Sequence, residues 1–218
     1  MRILRAAPSV SLTDTFRTLA HRVAAEGAKV KGSRFPAEAA PAASAEAALA
    51  FVEAVRRREH AARHHCWAYR LGESGQTWRA SDDGEPSGTG GAPILREIEG
   101  RELTGCVVVV TRYYGGTKLG AGGLARAYGD AAALVLDAAA DAGAVATRTI
   151  RVPVTLGFAF ADTSAAMRTA EAFDALVDGQ DYTADGGALR LLVRRSQAEE
   201  LAAAFIDATA GRGHVDTS

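Results

Sequence analysis

Cysteine is scarce in this sequence: Cys66 and Cys106 are the only two in 218 residues. Each borders a segment that reads as a strand, so both read as small buried hydrophobes rather than a disulfide, which suits a reducing compartment. No apolar stretch approaches the roughly 20 residues of a membrane helix, and the opening MRILRAAPSVSLTDTF lacks the continuous apolar core of a signal peptide. These absences predict a cytoplasmic protein with no membrane contact. Aromatic residues make up only 6% of the chain, leaving alanine-heavy helices suited to close packing on a sheet. A net charge of −1 argues against a surface that coats nucleic acid wholesale, while leaving room for a local basic patch. What is present is ordinary globular material, 48% hydrophobic and 23% charged, enough for a real core and for two small domains.

The basic patch lies in Val107 to Asp130, VVVVTRYYGGTKLGAGGLARAYGD. Four consecutive valines read as a strand buried on both faces. A loop with five glycines follows, and a helix opens at about Leu124. A buried strand running through a glycine-rich turn into a helix exposes backbone N–H groups to an anion. Arg112, Lys118 and Arg126 add three positive charges with no acid between them.

Along the chain, Leu12–Val30 can be drawn as a short helix capped by Asp14. KGSRFPAEAAPA reads as a strand centred on Ser33, Arg34 and Phe35, and Ser44 caps a helix whose Ala48, Phe51, Val52 and Val55 recur at helical spacing. ARHHCWAYRLG and TWRASDD form a hairpin, with Cys66 and Ala68 facing away from Trp67 and Tyr69. DDGEPSGTGGAP is loop, Pro93 starts a short helix that Gly100 ends, and the long helix after the glycine loop stops at Gly143. A strand over Val145–Ile150 completes a first domain. From Arg151 the order is strand, a helix over TSAAMRTAEAFDALV capped by Thr163 or Ser164, a hairpin turning at Asp185-Gly186-Gly187, a helix ending at Gly211, and a last strand. That βαββαβ order is ferredoxin-like. The expected class is α+β, with domains at 1–149 and 150–218.

Gly120-x-Gly122-x-x-Ala125 formally matches a dinucleotide fingerprint, but no acid ends the next strand, and Lys118 is followed by Leu119 rather than by Ser or Thr, as a P-loop requires. The five glycines could serve a packing turn alone, yet such a turn does not need Arg112, Tyr113, Tyr114 and Lys118 beside it. Asp82, Asp83 and Glu85 could hold magnesium; the preferred reading is a carboxylate network with Arg112 and Arg126 that shapes the pocket. A zinc set of His60, His64, His65 and Cys66 is disfavoured, because neighbouring strand residues face opposite ways. His64 or His65 can still face the loop. No nucleophile–base pair supports covalent catalysis, and no cofactor or metal is expected.

KGSRF, ARHHCWAY, SDDGEPSGTGGAPIL and VVVVTRYYGGTKLGAGGLARAYGDA, in this order and spacing, resemble the YigZ/IMPACT family. The resemblance covers Lys31 to about Ala131. It implies a two-layer first domain of the type shared by a ribosomal protein, elongation factor G and the GHMP kinases, and a second domain like the last domain of elongation factor G. Eukaryotic relatives regulate translation through an additional N-terminal domain, a mechanism not carried over here. The leading expectation is a non-enzymatic protein that contacts RNA or the ribosome. Its site would be Arg112, Tyr113, Tyr114, Gly115, Gly116, Lys118, Gly120, Gly122, Gly123 and Arg126, with Asp82, Asp83, Glu85, His64 and His65 as the opposite wall. The alternative is an enzyme on a phosphorylated or nucleotide small molecule, with magnesium at Asp82, Asp83 and Glu85.

Overall fold

A computed structural model of the chain describes residues 14–217, which form two compact units, residues 16–148 and residues 149–217 with Asp14 and Thr15. Both mix helix and strand.

The first unit is built on a five-stranded antiparallel sheet. Its strands are β2 (Val23–Ala25), β3 (Ala37–Pro41), β4 (His64–Leu71), β5 (Thr77–Ser81) and β6 (Cys106–Arg112), in the spatial order β2-β3-β6-β4-β5. The helices are α1 (Ala45–Arg58), α2 (Gly91–Gly100) and α3 (Gly120–Asp141). β1 (Thr15–Leu19) and β7 (Val145–Thr149) pair separately. The valine run is the centre of the sheet, and alternation along it creates two cores. Val108 and Val110 pack with Cys66, Ala68 and the apolar sides of α2 and α3. Val107 and Val109 pack with Trp67, Tyr69 and Val52 and Val55 of α1. The unit therefore has helices on both sheet faces, not the two layers that the family resemblance implies. The reason is in the sequence: Trp67 and Tyr69 make the second face too apolar to leave wet.

Local signals account for most boundaries. Ser44 accepts the Ala47 N–H at 3.1 Å and caps α1, which carries Glu46 in its first turn and three arginines in its last. The expected helix over Leu12–Val30 is replaced, in its described residues, by β1 and β2, because β1 pairs with the distant β7 and β2 with the next strand, β3. The strand expected around Ser33–Phe35 starts later, at Ala37. Lys31 and Gly32 both take positive φ in a tight turn, closed by Val30 and Ser33 exchanging N–H to C=O bonds at 2.9 and 3.0 Å. α2 begins at Gly91 and includes Gly100, and α3 begins at Gly120 rather than Leu124.

The second unit comprises β8 (Arg151–Ala159), α4 (Thr163–Ala172), β9 (Leu176–Tyr182), β10 (Gly186–Arg194), α5 (Ala198–Ala208) and β11 (His214–Asp216), with one antiparallel sheet ordered β11-β8-β10-β9. Val154, Leu156, Leu189, Leu191 and Val193 meet Leu201 and Phe205 in its core. α4 stops before Asp174, which takes positive φ, so Leu176 and Val177 belong to β9. Its start lacks a side-chain cap; Thr163 Oγ1 donates instead to the Phe160 carbonyl at 2.8 Å. The β9–β10 turn runs over Thr183–Asp185, closed by the Thr183 N–H to the Gly186 carbonyl, and Gly186 and Gly187 lie in the strand.

Candidate functional site

Arg112 ends the central strand, in register with His64 on β4, so the strand delivers a guanidinium to the mouth of the glycine loop. Its side chain is only 8% exposed. Nη1 donates to Glu85 Oε1 at 2.7 Å, and the Glu85 side chain is itself 4% exposed. The same oxygen accepts the Tyr128 hydroxyl from α3 at 2.9 Å. The guanidinium lies over the rings of Phe35 (5.8 Å) and Tyr114 (5.4 Å), and Phe35 meets Tyr128 edge-on at 5.2 Å. A buried charge must be paired and hydrogen-bonded, and these contacts supply that, although Nε keeps no hydrogen-bond partner. Arg112 is a fixed cation in the wall, not a mobile surface arm.

The remaining acids of SDDGEP are also turned into the fold. Asp82 accepts the backbone N–H groups of Gly88, Gly90 and Gly91 at 2.8, 2.8 and 2.9 Å, holding the start of α2. Burial pushes its carboxyl up, but those three bonds outweigh burial and keep it below the usual carboxylate range. Asp83, at a positive φ, pairs with Arg56 and accepts the His65 N–H at 2.7 Å, while its carbonyl accepts His64 Nδ1 at 2.9 Å. Cys66 donates to the Asp82 carbonyl at 3.0 Å; burial pushes its thiol up to about 12, an inert setting. Burial likewise raises Tyr128, reinforced by Cys66 and Glu85. Among the described residues no three His, Cys, Asp or Glu side chains converge as metal ligands. The expected carboxylate–arginine network exists for Arg112 but not for Arg126, which is exposed and has no ion pair among the described residues.

The loop itself is strapped to the turn at Lys31–Arg34. Arg34 and Tyr113 exchange N–H to C=O bonds, both at 3.0 Å, and the Gly115 N–H donates to Ser33 Oγ at 3.1 Å. The contact is so close that a Cβ on Gly115 would sit 1.9 Å from the carbonyl carbon of Gly32. Tyr113 is consumed by this strap: its hydroxyl donates to Glu59 at 2.6 Å, which raises its pKa, and its ring lies under Arg34, itself held by both oxygens of Glu26. Tyr114, the next residue, is 59% exposed. Gly116 and Gly120 take positive φ, Gly122 lies exposed in the first turn of α3, and a Cβ on Gly123 would stand 3.3 Å from Leu119. α3 has no side-chain cap and no acid in its first turn, so its leading N–H groups and positive dipole end are uncompensated.

Of the residues expected at the site, Arg112, Tyr113, Tyr114, Lys118, Gly120, Glu85 and His64 line two cavities of about 300 and 400 Å³ that share Arg112 and Tyr114. His65, Asp82 and Asp83 are drawn away into the support beneath. Arg63, which sequence reasoning overlooked, lines the larger cavity, exposed and without an ion pair among the described residues. Its place immediately before the strand that pairs with Arg112 was the available signal. Ser33, Glu59 and Tyr128 were also missed; their roles depend on contacts more than forty residues apart in sequence.

Residues 31–136 match the Impact N-terminal domain. The chain is similar to the IMPACT family member in the pol 5′ region of Thermus thermophilus, 55% identical over 107 residues, which are 49% of this chain and 56% of that protein. It is 44% identical over 100 residues to the IMPACT family member YvyE of Bacillus subtilis, 46% of each chain. The matched region thus spans about half the length of these curated relatives. A solved crystal structure of a hypothetical protein, 31% identical, superposes with a TM-score of 0.67 over 95% of this chain and 98% of that one. The motif set, the matched domain and these identities agree: through residues 31–136 the chain belongs to the IMPACT family.

Proposed function

We propose that the protein is a non-enzymatic, cytoplasmic RNA-binding protein associated with translation, contacting RNA, free or within the ribosome, through the Arg112–Arg126 loop. One observation carries this reading: apart from Arg112 in the wall, the site's cations face outward while its acids face inward. Arg63, Lys118 and Arg126 are exposed and, among the described residues, form no ion pair; Arg63 and Lys118 line cavities shared with the exposed Tyr114, and Arg126 follows on α3, whose N-terminus is uncapped. Asp82, Asp83 and Glu85 are all engaged by the fold. Such an arrangement attracts phosphate and offers a base a ring to stack on. The link of the IMPACT family to translation regulation supports the same direction. In this reading residues 1–149 are the loop-bearing domain. Residues 150–218 are a ferredoxin-like domain, as the βαββαβ order and the β11-β8-β10-β9 sheet support.

The alternative, an enzyme on a phosphorylated small molecule, would need at least one of the three carboxylates to be released from its present partners. The test is titration of labelled RNA and ribosomal particles across a salt series. Substituting Arg63→Ala and Lys118→Ala together is expected to weaken binding and to reduce the salt slope by about 2. Arg112 is not the residue to change, because it holds the wall. Binding without a salt slope, or unaffected by the double substitution, overturns the reading. Thermal stabilisation by ATP or GTP with magnesium would favour the enzyme.

A further inference from the structure

Resting on the RNA reading, we infer that the cleft takes an unpaired nucleotide, with a phosphate over the first turn of α3 at Gly122 and the base against Tyr114. Gly122 is the least explained glycine of the loop. Gly115 is required by the approach of Gly32, and Gly120 by its φ of +73°. Gly122 has no positive φ, and a Cβ added there would meet nothing within 4 Å. A glycine inside a helix is unfavourable relative to alanine, so this chain gains no stability from it. What Gly122 provides is bare backbone at the leading turn of an uncapped 22-residue helix, where N–H groups point outward and an anion can approach closely.

A second feature lies beside that turn. Arg112, more than nine-tenths buried and paired with Glu85, forms the wall shared by both cavities, and Gly120 and Ala121 of the same turn line the smaller one. Its guanidinium holds the Tyr114 ring by a cation–π contact while most of that ring stays exposed. The smaller cavity joins Lys118 and Gly120 to an apolar rim of Pro86, Leu119 and Leu124. A cation and N–H groups beside an apolar rim suit a phosphate joined to the face of a base. Arg63 and His64 in the larger cavity lie where the strand would continue. A duplex keeps its bases stacked inside and could not offer one to Tyr114.

The test uses the full chain and one labelled oligoribonucleotide, offered single-stranded and as a duplex with its complement. The single strand is expected to bind more tightly. Tyr114→Ala should cost about ten- to hundredfold in single-strand affinity and little in duplex affinity, with Tyr114→Phe close to wild type. Gly122→Ala should raise Tm by about 1–4 °C yet weaken single-strand binding, an opposition that a merely structural role would not produce. Equal or tighter duplex binding, or indifference to Tyr114→Ala, overturns this inference and leaves the RNA reading standing. Unchanged binding by the stabilised Gly122→Ala variant removes the phosphate seat. Absence of binding to either form at low salt overturns the RNA reading itself.

Discussion

A single oxygen of Glu85 accepts from both Arg112 and Tyr128, so one carboxylate joins the end of the central strand to the long helix behind the loop. Deleting it would leave a buried guanidinium without its counter-charge. Glu85→Ala is therefore expected to lose about 3–5 kcal/mol of stability, read from denaturant unfolding with an unchanged m-value, and Glu85→Gln less, since it keeps the acceptor oxygen. A loss below about 1 kcal/mol would mean that water reaches Arg112 in the variant. The pairing of Arg112 with this acidic segment was legible in the sequence, because a buried strand ending in arginine beside a run of acids leaves few other partners. The same reasoning wrongly enlisted Arg126. On α3 it stands two residues before Tyr128, about 200° around the helix, so when Tyr128 faces the core Arg126 must face away. Tyr113 and Tyr114 were indistinguishable in the same way until the strap at Arg34 fixed which of them is half-buried and which exposed.

Among the elements, α2 depends on a residue outside itself. Its N-cap, Gly90, has no side chain, and Asp82 substitutes by accepting three N–H groups at the helix start. Asp82→Ala should cost about 1–2 kcal/mol, the scale of a lost cap. The sign with pH follows from the depressed carboxyl. Its contribution is fully present above the unfolded value near 4 and fades as pH falls through the lower folded value. The Tm gap between wild type and Asp82→Ala should accordingly narrow on acidification below about pH 4, and a gap constant with pH would contradict the assignment. Elements with local signals were readable: α1 from Ser44 and its apolar spacing, and β6 from its valines. β1 and β2 were not, because five- and three-residue strands owe their existence to partners elsewhere in the chain. The early start of α3 escaped for a related reason. Glycine is a poor helix former, and only the structure shows that the helix nonetheless includes Gly120, Gly122 and Gly123.

The chain as a whole is not divided into consecutive halves. Residues 16–148 close on themselves, whereas Asp14 is held with the later unit: its carbonyl accepts the Ile150 N–H at 2.6 Å, and its carboxylate accepts the Ser196 N–H at 2.8 Å and the Ser196 hydroxyl. Those side-chain and backbone bonds lower the Asp14 pKa. Asp14→Ala should speed hydrogen exchange at the Ser196 amide and lower the midpoint of the second unit, while leaving protection in the valine strand unchanged; slowed exchange across both units would count against this tie. The tie also has a history in time. Ser196 emerges 182 residues after Asp14, which at about 5–20 residues per second is roughly 9–36 s of synthesis. The first unit has all its strands well before then. Every newly made copy therefore carries Asp14 without its partner past a finished neighbour, and the later unit is fastened by a residue translated long before the rest of it.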